Sequence, residues 1–225
     1  MKKVLGFLSE VYHHNDREWF QANKPLYQEA LAEFNAFAEK LIEGINRFDP
    51  STRGLTLKDC SYRIYRDVRF SPDKRPYKTH MGVYICPGGK KSNNAGYYFH
   101  VEPKSESGRP AYFMTAGLYM PEPKILKSVR DEIFDNTAGF LAAVKKAKGF
   151  RMNEDNKLKR TPTGYPADSP VDEYLKLKDV CLEQFMDEKT LLQEDLAEWA
   201  AGEFQKTYGF NALLNKAVDF AREEM

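Results

Sequence analysis

Met81-Gly82-Val83-Tyr84-Ile85-Cys86-Pro87-Gly88-Gly89 and, a little further on, Tyr97-Tyr98-Phe99-His100-Val101-Glu102 are the stretches that decide the fold. In the first, Met81, Val83 and Ile85 alternate with Gly82 and Tyr84. In the second, Tyr97, Phe99 and Val101 alternate with Tyr98, His100 and Glu102. Period two, rich in β-branched and aromatic residues and punctuated by Pro-Gly-Gly, predicts strands. Ala111–Tyr119 predicts a third. Upstream, Cys60, Tyr62 and Ile64 alternate with Ser61, Arg63 and Tyr65 and predict one more. The connections are too short for helical crossovers, so the sheet is expected to be mainly antiparallel.

Outward from this centre the period changes. Leu26, Tyr27, Ala30, Leu31, Phe34, Phe37, Ala38, Leu41, Ile42 and Ile45 recur at three- and four-residue steps, one face of a long helix. Asn15-Asp16-Arg17-Glu18 has the form of a capping box with Asn15 at the cap, and Pro25 is expected to start the next helix. Downstream, Pro121–Asn136 and Thr137–Lys148 fit two helices stopped by Gly149. A polar loop over 151–170 carries Pro162, Gly164, Tyr165, Pro166 and Pro170, with Tyr165 a candidate to cover the sheet. Two more apolar stripes follow, one from Leu191 to Phe204 and one from Phe210 to Ala221. Helices at both ends of a meandering sheet give α+β, in one domain spanning 1–225.

Composition agrees. With 225 residues, 42% hydrophobic, 13% aromatic and 30% charged, the chain is neither disordered nor collagen-like nor a coiled coil. Cys60, Cys86 and Cys181 are odd in number and far apart, which excludes a disulfide framework or zinc ribbon and predicts reduced thiols in a cytoplasmic protein. No run approaches the ~20 apolar residues of a membrane span, so no membrane partner is expected. No feature sets an oligomeric state.

The formal charge of +1 hides a segregation. Residues 58–91 hold nine basic residues against three acidic, while residues 183–225 hold ten acidic against four basic. In the basic block, Ser61-Tyr62-Arg63-Ile64-Tyr65-Arg66-Asp67-Val68-Arg69-Phe70 leads into Ser71-Pro72-Asp73-Lys74-Arg75-Pro76-Tyr77-Lys78-Thr79-His80. On a strand, Arg63, Tyr65, Asp67 and Arg69 share a face. Guanidinium groups match carboxylate or phosphate as rigid forks, and Asp67 alone is too little charge to neutralise them. One reading is therefore a site for a small anionic ligand at Arg63, Arg66 and Arg69, assisted by Lys74, Tyr77 and Lys78. The other is an internal ion-pair network in which acids from the C-terminal helices answer Arg66 or Arg69. These residues leave both open.

The spaced pattern Arg63-x-x-Arg66-Asp67-x-Arg69-Phe70-x-x-Asp73-Lys74-x-x-Tyr77 resembles the signature of the bacterial family filed as domain of unknown function 2461. Asn15–Phe20 with Asn23-Lys24, Tyr98-x-His100-x-Glu102-Pro103, Gly117-x-Tyr119-x-Pro121 and Pro162-x-Gly164-Tyr165 resemble it too, across most of the chain. The resemblance implies membership and no activity. Lys104, after Glu102-Pro103, departs from the small residue the pattern favours.

For catalysis the candidates are Asp67, His100 and Glu102. Asp67 with Glu102-x-Lys104 mimics a metal-dependent phosphodiesterase core, but Pro103 interrupts the signature, and arginines packed there would repel a cation. His80, His100 and Glu102 form a lesser metal-ligand alternative, in which only His100 and Glu102 share a strand face. No metal and no cofactor are expected. Basic residues interleaved with Tyr62, Tyr65, Phe70 and Tyr77 also suit nucleic acid, which ranks behind a small ligand because the basic set is compact.

Overall fold

The computed structural model describes residues 1–105 and 110–223. Among them ten helices surround a five-stranded antiparallel sheet, and the fold is α+β. Three strands fall where the alternation puts them: β1 Met81–Ile85, β2 Gly96–Glu102 and β3 Ala111–Leu118. In register, Gly82 lies opposite His100, and His100 opposite Phe113. The pattern misses two strands, β4 Arg151–Met152 and β5 Val180–Phe185, which extend the sheet in the order β1-β2-β3-β5-β4. β5 buries Val180, Cys181 and Leu182 in succession, and such a run carries no period to read.

Period two sorts the sheet into faces. Val83, Ile85, Tyr97, Phe99, Val101, Met114 and Ala116 enter a core closed by α1 (Lys2–His13), α3 (Lys24–Phe48) and α9 (Leu196–Gln205). The stripe of α3 supplies Phe34, Phe37, Leu41, Ile42 and Ile45, each contributing about 1.5–3 kcal/mol relative to exposure. A second core joins α5 (Pro123–Asp135), α6 (Thr137–Lys146), α7 (Asp172–Leu175) and α10 (Tyr208–Glu223) to Leu118, Val180 and Leu182. Phe150 packs against both cores. The alternate residues Gly82, Tyr98, His100, Glu102 and Phe113 belong to neither and form the other side of the sheet.

The N-terminal cap differs from its pattern. Helix α2 (Arg17–Ala22) is capped by Asp16, whose Oδ1 accepts the Trp19 N–H at 2.8 Å. Asn15 instead grips the backbone of Tyr77, its Nδ2 donating to the carbonyl and its Oδ1 accepting the N–H, both at 3.0 Å. A side-chain amide offers donor and acceptor side by side, matching the N–H and C=O of an extended residue. Pro25 sits in the first turn of α3, as its chemistry predicts.

No strand forms at Cys60–Tyr65. Leu57–Cys60 is one helical turn, α4, closed by Asp59 Oδ2 accepting the Thr56 N–H at 2.9 Å. Residues 61–80 then run as an irregular arm. Its limbs meet through Arg66 N–H to Pro76 O at 2.9 Å and Lys78 N–H to Ile64 O at 2.8 Å. Pro72 and Pro76 have no N–H for a ladder, and ion pairs within the arm take the place of strand pairing. Helix α6 ends at Lys146 with Ala147 as its cap, before the expected stop, and Gly149 takes φ +95° in the turn that follows. Tyr165 docks its loop on α5 rather than on the sheet, its hydroxyl donating to Asp131 Oδ1 at 2.7 Å and its ring edge-on to Phe134. The three cysteines are buried and unpaired. No described helix is long and apolar enough to cross a membrane. Two short helices complete the described chain, α8 (Glu188–Leu191) before α9 and a single 3-10 turn after α3.

Candidate functional site

Tyr77 is the anchor of the arm. Its ring is 3% exposed and stacks on Phe20 of α2 at 4.0 Å and 11°, while Ile64 is buried on the opposite limb. From this pinned point Lys78, Thr79 and His80 lead into β1, and Arg66 and Arg75 reach in from the two limbs. With His100 and Glu102 from β2 and Tyr12 from α1, they line an open cleft of about 730 Å³.

The floor of the cleft is a hydrogen-bonded chain on β2. Thr79 Oγ1 donates to Glu102 Oε1 at 2.6 Å. Glu102 Oε2 lies 3.5 Å from His100 Nε2, and His100 Nδ1 is 2.9 Å from the Tyr98 hydroxyl. The His100 ring stacks on Phe113 at 4.5 Å and lies 4.8 Å from the ring of His80. Tyr98 reaches this place because its ring crosses Gly82, where a Cβ would fall 2.5 Å from the phenol oxygen. One ligand atom each of His80, His100 and Glu102 lie within 4.8 Å of one another. Burial raises the Glu102 pKa, but hydrogen bonds from His100 and Thr79 outweigh it and the net direction is down.

The wall is cationic. Asp73 is held by Arg75 through Nε (3.0 and 3.1 Å) and Nη2 (2.7 Å), and by Arg66 Nη1 at 2.5 Å. Those bonds, Arg75 first, push its carboxyl well below the usual carboxylate range. Lys78 is different: among the described residues no carboxylate pairs with its ammonium, which lies 5.3 Å from the Tyr62 ring centre. Burial and then Arg63 push its pKa down.

Arg63, Tyr65, Asp67 and Arg69 do not share a strand face, because the segment is no strand. Arg66 and Lys78 enter the cleft with His100 and Glu102. Arg63 lines a separate cavity of about 40 Å³ with Tyr62, Lys78 and His80. Arg69 points outward, pairing with Asp67 at 2.6 Å beside the fully exposed Phe70. Lys74 donates to the Val68 carbonyl at 3.0 Å, fastening the tip of the arm. Asp67 does not line the cleft, so it does not join Glu102, and Lys104 lies over Tyr12 at 4.6 Å. Nor, among the described residues, do C-terminal acids answer Arg66 and Arg69; aspartates of the arm do. Arg75, Thr79 and Tyr98 are site residues the pattern left out. Only Tyr98 carried a signal, two positions from His100 on the same strand face.

His80 gives the cleft a pH signature. Burial, then His100, Lys78 and Arg66, lower its pKa from the ordinary 6.5 to about 4, with Glu102 opposing. The unfolded chain therefore binds a proton that the fold refuses, and stability falls with pH from 6.5 towards 4, by at most about 1.4 kcal/mol per pH unit. Below about 4 both states are protonated and this group takes no more. Denaturant melts of metal-free protein are expected to show this slope between pH 6.5 and 4.5, and His80→Asn to flatten it. An unchanged slope in the variant would remove His80 as its source.

A larger groove of about 870 Å³ lies along α5 and α10, lined by Asp131, Glu132, Asp135 and Asp219. It is mainly acidic, with Lys216 paired to Glu132 and no histidine or arginine, whereas the arm cleft brings arginine, lysine and carboxylate together with two imidazoles. Compared with known proteins, the chain matches the model of the family described as Conserved hypothetical protein (DUF2461) over residues 3–212. No curated protein and no solved structure matches it.

Proposed function

The chain belongs to the conserved hypothetical protein family DUF2461, and for this member we propose that the arm cleft binds a small anion bearing a phosphate or carboxylate group. Lys78 carries the reading. A half-buried ammonium that no carboxylate among the described residues pairs with, its pKa lowered by its own desolvation and by Arg63, is a cost to the fold that a bound anion would offset. Arg66 lines the same cleft, and Asp73 holds its guanidinium in place. Thr79, His80 and His100 line the same cleft.

Melting curves of the wild type and Arg66→Ala, with and without inorganic phosphate at matched ionic strength, test this. At about 100 times the dissociation constant, ligand stabilises by about 2.7 kcal/mol, or roughly 5–11 °C for a chain of this size. Arg66→Ala is expected to lose that shift while melting near the wild type without ligand, because Arg75 still holds Asp73. A large loss in the ligand-free variant, with no phosphate effect on the wild type, would make the arginines a device of the fold.

A further inference from the structure

Two imidazoles and a carboxylate at one end of an open cleft form a donor set of their own. We propose that His80, His100 and Glu102 hold a divalent transition-metal ion, and that the anion of the cleft is a ligand to that ion. The substrate-class half of this inference rests on the anion reading above; the metal half rests on the triad alone.

Metal bonds near 2.1 Å set neighbouring ligand atoms about 3.4 Å apart at tetrahedral angles. His100 Nε2 and Glu102 Oε2 stand at 3.5 Å, and the set as a whole lies within 4.8 Å. Drawing His80 in needs a side-chain shift on the order of 1 Å. The supports of a metal site are also present. A ligating imidazole usually engages its second nitrogen in a hydrogen bond, which fixes ring orientation and tautomer; His100 Nδ1 has the Tyr98 hydroxyl at 2.9 Å. Glu102 has Oε1 engaged by Thr79, leaving Oε2 towards His100. The His100 ring is further held by its stack on Phe113.

Donor chemistry narrows the ion. Two nitrogens and one oxygen suit Zn²⁺, Fe²⁺ or Mn²⁺, while Mg²⁺ and Ca²⁺ prefer all-oxygen shells. Three protein ligands on an open cleft leave coordination positions free, the pattern of a reactive site rather than a closed structural one. Arg66 and Lys78, which would repel a lone cation, then have a joint role: ion, guanidinium and ammonium clamp one anion from different sides. The coupling is reciprocal, so metal and anion each tighten the other's binding by the same factor.

The test uses the full chain stripped of metal and titrated with Zn²⁺, and with Co²⁺ as a spectroscopic probe. The expected result is one ion per chain, bound at micromolar or tighter concentration, with no saturable binding of Mg²⁺. Glu102→Gln should weaken Zn²⁺ by about 100-fold or more, and Thr79→Val, which touches only the support, by about 10-fold. Zn²⁺ should also tighten phosphate binding. The chain has four histidines, and His14 lies 3.9 Å from Glu10 on the surface. His14→Ala must therefore leave the affinity unchanged. Binding that survives Glu102→Gln in a folded variant, or vanishes in His14→Ala, would overturn the metal site. Phosphate bound by a chain that takes up no metal would overturn it too and leave the anion reading standing. Tight metal binding with no phosphate effect on either form would overturn the anion reading and the ligand class.

Discussion

Replacing Tyr77 with alanine is expected to lower stability by about 3–5 kcal/mol, the range for deleting a large buried aromatic, and the melting temperature by roughly 6–20 °C. Three contacts are lost or loosened together. The ring leaves its stack on Phe20 at 4.0 Å and its contact with Tyr65 at 5.5 Å. The Asn15 clamp on the Tyr77 backbone then holds a residue with no side-chain anchor. Because Lys78, Thr79 and His80 follow directly, phosphate binding should fall with stability. Tyr77→Phe keeps the ring and should retain both. A loss under about 1 kcal/mol in the alanine variant would mean the arm is held by other contacts.

Lys78→Met is expected to act in the opposite sense. Phosphate affinity should drop by about 10- to 100-fold, the scale of one hydrogen bond to a charged group, while ligand-free stability stays level or rises. Its folded-state pKa is lowered by burial and by Arg63, so at neutral pH the charged amine is favoured more in the unfolded chain than in the fold. Methionine keeps the stem and its packing without the charge. Gains of stability on removing a functional charge are a recurrent trade between site and fold. Isothermal titration and melting curves of the same sample check both halves, and a marked destabilisation would assign Lys78 to the structure instead.

The helical stripe of α3 and the alternation of β1, β2 and β3 were legible because each side chain's burial follows a period fixed by local geometry. β5 was not, since a strand covered on both faces shows a continuous apolar run. The arm failed for another reason. Tyr62, Ile64 and Tyr65 have the residue types of a strand, yet Pro72, Pro76 and the pairs Arg75–Asp73 and Arg69–Asp67 settle the backbone otherwise. Strand alternation put Arg63 and Arg69 on one face, and the folded arm sends them apart, with Arg66 in a third place. Asn15 reads as a helix cap in sequence because its partner is 62 residues away. His100 and Glu102 were legible as a pair on one strand face, but His80 joins them only through the path of the arm.

Calorimetric titration of metal-free wild-type protein with inorganic phosphate, at fixed ionic strength, tests the anion site most directly. Saturable binding of one phosphate per chain, lost in Lys78→Met, is the expected result. No saturable binding to the wild type, or binding undiminished in Lys78→Met, would contradict it.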